Sequence, residues 1–301
     1  MNIPFIKYYK VWLSIALVTV IACTLSLVVF GLKPGIDFTG GSLIEYAFTK
    51  ERPTAAQIEK IYEEVAQVKE VFVQKTGDQG LIVRSTFLNE DQHKAVLARL
   101  KKDFSTDGNQ VREEQVEAVG SVISQQLRSK AVWAIILVNL SIIAYLAYAF
   151  RQVSRPVASW KYGLMAIAAL VHDVLLVLGV FALLGHYRGV EVDIAFVVAV
   201  LTVLGYSVND TIVVYDRIRE NIMHHTGETF AEVVNRGLNE TLMRSLNTTF
   251  TVLLPLGALL IWGGSTIHSF TLALIIGMAS GAYSSIFIAA PLLVLAAPKE
   301  S

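Results

Sequence analysis

The sequence predicts a polytopic α-helical membrane protein with six transmembrane helices and a small α+β domain inserted after the first of them. Two features lead to this: six apolar stretches of spanning length, and charges crowded into about a third of the chain. The chain has 301 residues, of which 54% are hydrophobic and 17% charged, and 25 Lys+Arg balance 25 Asp+Glu. Soluble domains carry roughly 25% charged residues, and a neutral soluble protein this apolar would tend to precipitate. Residues 33–130 hold 14 of the basic and 15 of the acidic residues. The zero net charge therefore averages a region with the charge density of a soluble domain and a region suited to lipid. It also argues against a nucleic-acid partner, which needs a cationic excess. The apolar content excludes disorder. The single cysteine, Cys23, rules out an intrachain disulfide and a cysteine-based zinc site.

A membrane-crossing helix needs about 20 mostly apolar residues. Residues 12–32, 131–150, 163–184, 194–215, 245–262 and 269–295 approach or exceed that length. Their unbroken apolar runs point to helices rather than barrel strands. Lys7 and Lys10 precede the first run, and Val-Ile-Ala-Cys at 20–23 loosely resembles a lipoprotein cleavage site. The run continues to Phe30, longer than a signal core of about 7–15 residues, so it is expected to remain as an uncut span. The fifth stretch contains Pro255 and ends at Gly263 and Gly264, so a kink or early stop is expected. The sixth is long enough to tilt, and its Gly277, Ala279, Ser280 and Gly281 permit close helix approach.

Residues 33–130 switch between periods of two and of 3.6. Strands are expected at 42–49, 71–75, 81–87 and 110–119, the middle pair joined by the hairpin signal Thr-Gly-Asp-Gln-Gly. Helices are expected at 54–67, with Thr54 as N-cap and Ile58, Ile61, Tyr62 and Val65 at helical spacing, and at 89–104. The order βαββαβ predicts a ferredoxin-like sandwich of two helices on a four-stranded antiparallel sheet. It contains no metal-spaced cluster and no nucleophile–base–acid set, and His93 reads as a solvated helix residue. A binding or mechanical domain is expected, not an enzyme.

Positive charge in short loops sets orientation. Lys7 and Lys10 flank the first span, residues 151–161 bring Arg151, Arg155 and Lys161 without an acid, and residues 216–244 bring four arginines among five acids. The opposite loops contribute only Arg188. Both termini are thus expected in the cytoplasm and the 33–130 domain outside. Three parts follow: 1–32 with the first span, the domain at 33–130, and 131–301 with spans two to six and a cytoplasmic connector at 216–244. Within that connector, residues 229–238 read as an amphipathic surface helix.

After the first span comes Gly35-Ile36-Asp37-Phe38-Thr39-Gly40-Gly41. Its glycines allow tight bends, and it lacks the Gly-Lys-Ser/Thr ending of a phosphate loop. This pattern resembles the signature of SecD and SecF, accessory subunits of bacterial Sec protein export. Val171-His172-Asp173-Val174 agrees, as does Ser207-Val208-Asn209-Asp210-Thr211-Ile212-Val213-Val214 followed by Asp216-Arg217-Ile218-Arg219-Glu220-Asn221. Asn239-Glu240-Thr241 and Arg244-Ser245-Leu246-Asn247-Thr248-Thr249 complete the set. The match is to the SecF side of the family, because the extracytoplasmic domain of SecD is much larger. The resemblance implies an RND-like membrane region. It also implies pairing with SecD beside the SecYEG translocon, YajC and YidC as further candidate contacts, and an unfolded exported polypeptide as substrate. It implies no cofactor other than protons as the coupling ion.

Only two acids lie within the spans, Asp173 and Asp210. A charge at the bilayer centre costs about 2.5–3.5 kcal/mol on insertion scales, so each is a functional candidate by default. Burial disfavours the charged carboxylate and a nearby cation favours it, so a balanced carboxyl can load and release a proton. Arg244, at the same side of the bilayer as Asp210, is the expected counter-charge; a static buried ion pair is the structural alternative. In the family, the Asp and Arg at these motif positions are implicated in proton conduction. Asp173 is nearer the midplane, and His172 before it points about 100° away around the helix. Asn209, Asn247 and Thr248 are expected to line a polar path. A stand-alone RND-like transporter is the competing reading, although such pumps have about twice this number of spans. An intramembrane aspartyl protease is disfavoured because neither aspartate lies in a Gly-x-Gly-Asp context.

Overall fold

The computed structural model describes residues 3–105, 108–149, 157–224 and 227–298. Arg151 and Arg155, used above for orientation, lie outside the described residues. The chain divides into two units, Met1–Lys33 with Val132–Ser301, and Pro34–Ala131.

The first unit begins with α1 (Tyr9–Phe30). The second unit follows, with a one-turn helix α2 (Ile36–Thr39), then β1 (Gly41–Phe48), α3 (Ala55–Ala66), β2 (Val71–Thr76), β3 (Gly80–Ser85), α4 (Glu90–Phe104) and β4 (Val111–Val119). All neighbouring strands run antiparallel in the order β2-β3-β1-β4, the expected ferredoxin-like sandwich. In the central register Ile44 faces Val83 on one side and Val116 on the other. Capping boxes start both long helices. Thr54 pairs with Gln57 and Asn89 with Gln92, each satisfying amides that have no partner within the helix.

The core joins Ile44, Tyr46, Phe48, Leu81 and Val83 of the sheet to Ile58, Tyr62, Val96 and Leu100 of the helices. Within it the hydroxyls of Tyr46 and Tyr62 meet at 3.1 Å. Burial pushes both above the ordinary tyrosine range; Tyr62 adds to the rise at Tyr46, while the hydrogen bond with Tyr46 partly offsets the rise at Tyr62. The unfolded chain releases these protons at its ordinary value of 10.0, whereas the folded domain keeps them. Their contribution is therefore complete below that pH and is lost as pH rises above it. Denaturant midpoints of the domain are expected to fall above pH 10, and less so in Tyr46→Phe. His93 differs from expectation: it is half-buried and lies 2.8 Å from Glu113 across to β4, because the amphipathic α4 turns that edge toward the sheet.

The remaining elements are α5 (Ser121–Ala149), α6 (Ser159–Arg188), α7 (Ile194–His224), α8 (Phe230–Trp262), α9 (Ser265–Ser284), a π-helical turn (Ser285–Ala289) and α10 (Ala290–Ala296). Among the described residues six helical stretches are long and apolar enough to cross a membrane. In the first unit α7 packs against α6, α8 and α9, and α6 packs against α1 and α9. Two departures from the sequence reading bear on the site. The connector is not a separate surface helix, because α7 extends to His224 and α8 starts at Phe230, capped by Thr229. The fifth span closes where the sequence places its end, α8 running as helix through Pro255 to Trp262 with Gly263 as its C-cap. The sixth span is instead interrupted at the π turn, just before Pro291. Proline has no N–H, and its ring clashes with the carbonyl four residues back, here that of Phe287; widening the turn relieves the clash.

Candidate functional site

Asp173 sits in the middle of α6 and is completely buried. Three serine hydroxyls donate to it: Ser280 to Oδ1 at 2.6 Å, Ser207 to Oδ2 at 2.6 Å and Ser284 to Oδ2 at 2.7 Å. His172 Nδ1 lies 3.1 Å from Oδ1. Each carboxylate oxygen is thus met by two polar groups, which is the full acceptor capacity of the group. A buried carboxylate is tolerated only when it is paired or hydrogen-bonded in this way.

The serines come from α7 and α9, and glycine lets those helices approach. A Cβ on Gly277 would lie 2.3 Å from Val203 Cγ2, and one on Gly281 would lie 3.0 Å from Ser207 Cβ. Small residues four apart on α9 therefore form the seat into which α7 presses Ser207 toward Asp173.

Asp210 is three residues beyond Ser207 on α7, almost one turn away, and is 7% exposed. Ser245 of α8 donates to its Oδ1 at 2.7 Å. Oδ2 is buried without a hydrogen-bond partner. The neighbouring Thr211 hydroxyl meets Ser285, the first residue of the π turn, at 2.9 Å. The surroundings of the two acids differ: both oxygens of Asp173 are met by polar groups, while Oδ2 of Asp210 has no hydrogen-bond partner.

The remaining sequence candidates fall elsewhere. Arg244 is not the counter-charge of Asp210 here: its side chain is exposed, and no ion pair joins the two among the described residues. One residue turns a helix by about 100°, so Ser245, not Arg244, faces Asp210. Asn209, Asn247 and Thr248 are exposed and do not line the acids; the Thr248 hydroxyl bonds back to the Arg244 and Ser245 carbonyls. The polar groups between the acids are instead Ser207, Thr211, Ser245, Ser280, Ser284 and Ser285. Their signal was available as hydroxyls spaced four apart, Ser207–Thr211 and Ser280–Ser284, on otherwise apolar helices. In the sequence alone Ser280 reads only as a small packing residue.

The Gly35–Gly41 segment has a local role in the second unit. The Gly35 carbonyl accepts from the amides of Phe38 at 3.0 Å and Thr39 at 3.1 Å, closing the α2 turn around Asp37. Gly40 and Gly41 follow at positive φ, +76° and +131°, and a Cβ on Gly41 would lie 2.6 Å from the Ser85 carbonyl oxygen. Only glycine admits the chain into β1 at that point.

Comparison with known proteins gives a consistent result. The family described as protein export membrane protein SecD/SecF, C-terminal, matches residues 99–299, and the SecD/SecF GG motif matches residues 25–51. The protein translocase subunit SecF of Thermobaculum terrenum is 44% identical over 97% of this chain and 93% of its own length. The protein translocase subunit SecDF of Brucella abortus is 36% identical over 97% of this chain, which spans only 37% of that protein. A crystal structure of a Thermus SecDF, described as translocon-associated, superposes with a TM-score of 0.81 at 32% identity, covering 98% of this chain and 38% of that one. The chain belongs to the SecF branch of the SecD/SecF family of protein-export membrane proteins.

Proposed function

We propose that the chain is the SecF half of a SecD–SecF unit that uses the proton gradient to drive late steps of protein translocation across the bacterial cytoplasmic membrane. Its similarity to little more than a third of two SecDF proteins supports a SecD-like partner for the remainder. In this reading both termini are cytoplasmic and the ferredoxin-like domain is outside, where it meets the unfolded exported polypeptide. The unit works beside SecYEG, with YajC and YidC as further contacts, and protons are its only coupling ion. A stand-alone transporter is the weaker reading, because each of these relatives is longer than this chain by more than twofold.

One observation carries the mechanism: Asp210 is buried with one oxygen held by Ser245 and the other without a donor. Such a carboxyl has a site for a proton and a neighbour that orients it. Asp173, whose acceptor positions are filled when His172 carries its hydrogen on Nδ1, serves as a structural anchor that ties α6 to α7 and α9. Arg244, exposed on α8, is free to meet the partner subunit. Preprotein export into inverted vesicles tests the reading. Asp210→Asn is expected to reach normal membrane levels and to lose the stimulation of export by a proton gradient. Wild-type stimulation in that variant would refute the assignment.

A further inference from the structure

The hydroxyls beside Asp210 have more contacts than hydrogens. Ser285 Oγ lies 2.9 Å from the Gly281 carbonyl oxygen and 2.9 Å from Thr211 Oγ1, and Thr211 Oγ1 lies 3.1 Å from the Ser207 carbonyl oxygen. Each hydroxyl has one hydrogen to donate. Two hydrogens cannot serve three contacts, so one is always unmade and the Ser285 hydrogen has alternatives of similar quality. The Ser285 side chain also acts on the Asp210 carboxyl, although no group meets Oδ2 with hydrogen-bond geometry. The Gly281 carbonyl that holds Ser285 also receives Ser284 at 3.2 Å, and Ser284 has Asp173 Oδ2 as its nearer acceptor at 2.7 Å. From Ser285, beside Asp210, a polar path thus runs through the Gly281 carbonyl and Ser284 to Asp173. It enters the π turn at its first residue. A π turn inside a helix leaves the regular backbone bonding pattern locally open, a feature found often at functional sites.

We propose that Ser285 is a positioning residue for Asp210, acting as a two-state rotor. When Asp210 is charged, the Ser285 hydrogen turns to Oδ2. When Asp210 is protonated, the carboxyl donates from Oδ2 to Ser285 Oγ, and the serine hydrogen returns to the Gly281 carbonyl. No bond other than the O–H bonds of the proton in transit is made or broken. The proposal rests on the reading of Asp210 as the proton-exchanging group. It adds that the state of Asp210 is passed to the backbone of α9 and, through Ser284, to the Asp173 carboxyl.

Within six residues of Asp173, Asp210 and Ser245 along their own helices, the other titratable side chains are His172 on α6, Tyr206, Tyr215 and Asp216 on α7, and Glu240 and Arg244 on α8. Among the described residues beyond Ser280, the sixth span offers Tyr283, whose hydroxyl donates to the Trp12 carbonyl of α1. Tyr206 is taken by Thr249 and Tyr215 by the Ala289 carbonyl. The hydroxyl of Ser285 is therefore the adaptable group at Oδ2.

The test uses the full chain with its SecD partner in proteoliposomes, comparing wild type, Asp210→Asn, Ser285→Ala and Ser285→Thr. Two quantities are read: gradient-driven export, and the infrared carbonyl band of a protonated carboxyl. Ser285→Ala is expected to slow gradient-driven export about tenfold, the worth of one hydrogen bond to a charged group. It is also expected to move the band to higher frequency, because the protonated carboxyl loses its acceptor. Ser285→Thr, which keeps the hydroxyl, is expected to restore both. A band lost in Asp210→Asn but unmoved in Ser285→Ala would overturn the rotor alone. A band that survives Asp210→Asn would overturn the reading of Asp210 and the rotor with it.

Discussion

Replacing Asp173 by alanine is expected to remove the folded protein from the membrane almost entirely. The substitution leaves the hydroxyls of Ser207, Ser280 and Ser284 without the acceptor that gathers them, and it opens a void at a fully buried position. An unsatisfied buried donor costs about 1–3 kcal/mol, against a total stability of only about 5–15 kcal/mol for a folded chain. Serines in helices can turn back to the carbonyl four residues earlier, and Ser284 already has the Gly281 carbonyl at 3.2 Å. That escape softens the loss but does not refill the void, so a net cost of about 3 kcal/mol or more is expected. Asp173→Asn keeps the volume and one acceptor oxygen, and its effect should be intermediate. Thermal unfolding in detergent, with membrane levels by immunoblot, measures both. Wild-type stability of Asp173→Ala would show that the serine cage does not hold the three helices together.

The second large effect is steric. Gly277→Leu introduces a side chain where even a Cβ would lie 2.3 Å from Val203 Cγ2 and 2.7 Å from Cγ1. Overpacking a tight contact costs typically 1–3 kcal/mol, and here the displaced surface is the one that aligns Ser207 and Ser280 on Asp173. Loss of stability and loss of export stimulation are both expected. The smaller Gly277→Ala should show the same signs more weakly. Combining it with Val203→Ala removes both γ-methyls and should recover much of the loss, because residues in contact do not contribute additively. If the double variant is as impaired as the sum of the singles, the close approach of α7 and α9 is not what Gly277 provides.

Much of the architecture could be read from the residues. The spans stand out because lipid requires long apolar runs, and the outer domain because period-two and period-3.6 segments alternate between turn residues. The helix ends were less visible. Residues 216–224 and 230–244 are too charged to look like part of a span, yet α7 and α8 simply continue through them as helix. The π turn was hidden for a similar reason: Pro291 lies near the end of an apolar run, where it looks like a stop and not like the cause of a widened turn three-quarters of the way along the helix. For the site, the two acids announced themselves, since charges are rare in spans. Their partners did not. Charge pairing suggested Arg244, whereas the structure sets Ser245 against Asp210, because a shift of one residue redirects a helical side chain by about 100°. Serines are also ambiguous in sequence. The same residue is a small packing group or a donor, depending on what stands opposite, and that is decided only when α6, α7 and α9 are brought together.

The division of labour between the two acids is the central claim, and infrared difference spectroscopy across a pH jump tests it most directly. Measured on the reconstituted chain with its SecD partner, wild type is expected to show a protonated-carboxyl band that appears on acidification. That band should be absent in Asp210→Asn and present in Asp173→Asn. A band that persists in Asp210→Asn and vanishes in Asp173→Asn would contradict the account, placing the exchanging proton inside the serine cage and not at the open oxygen of Asp210.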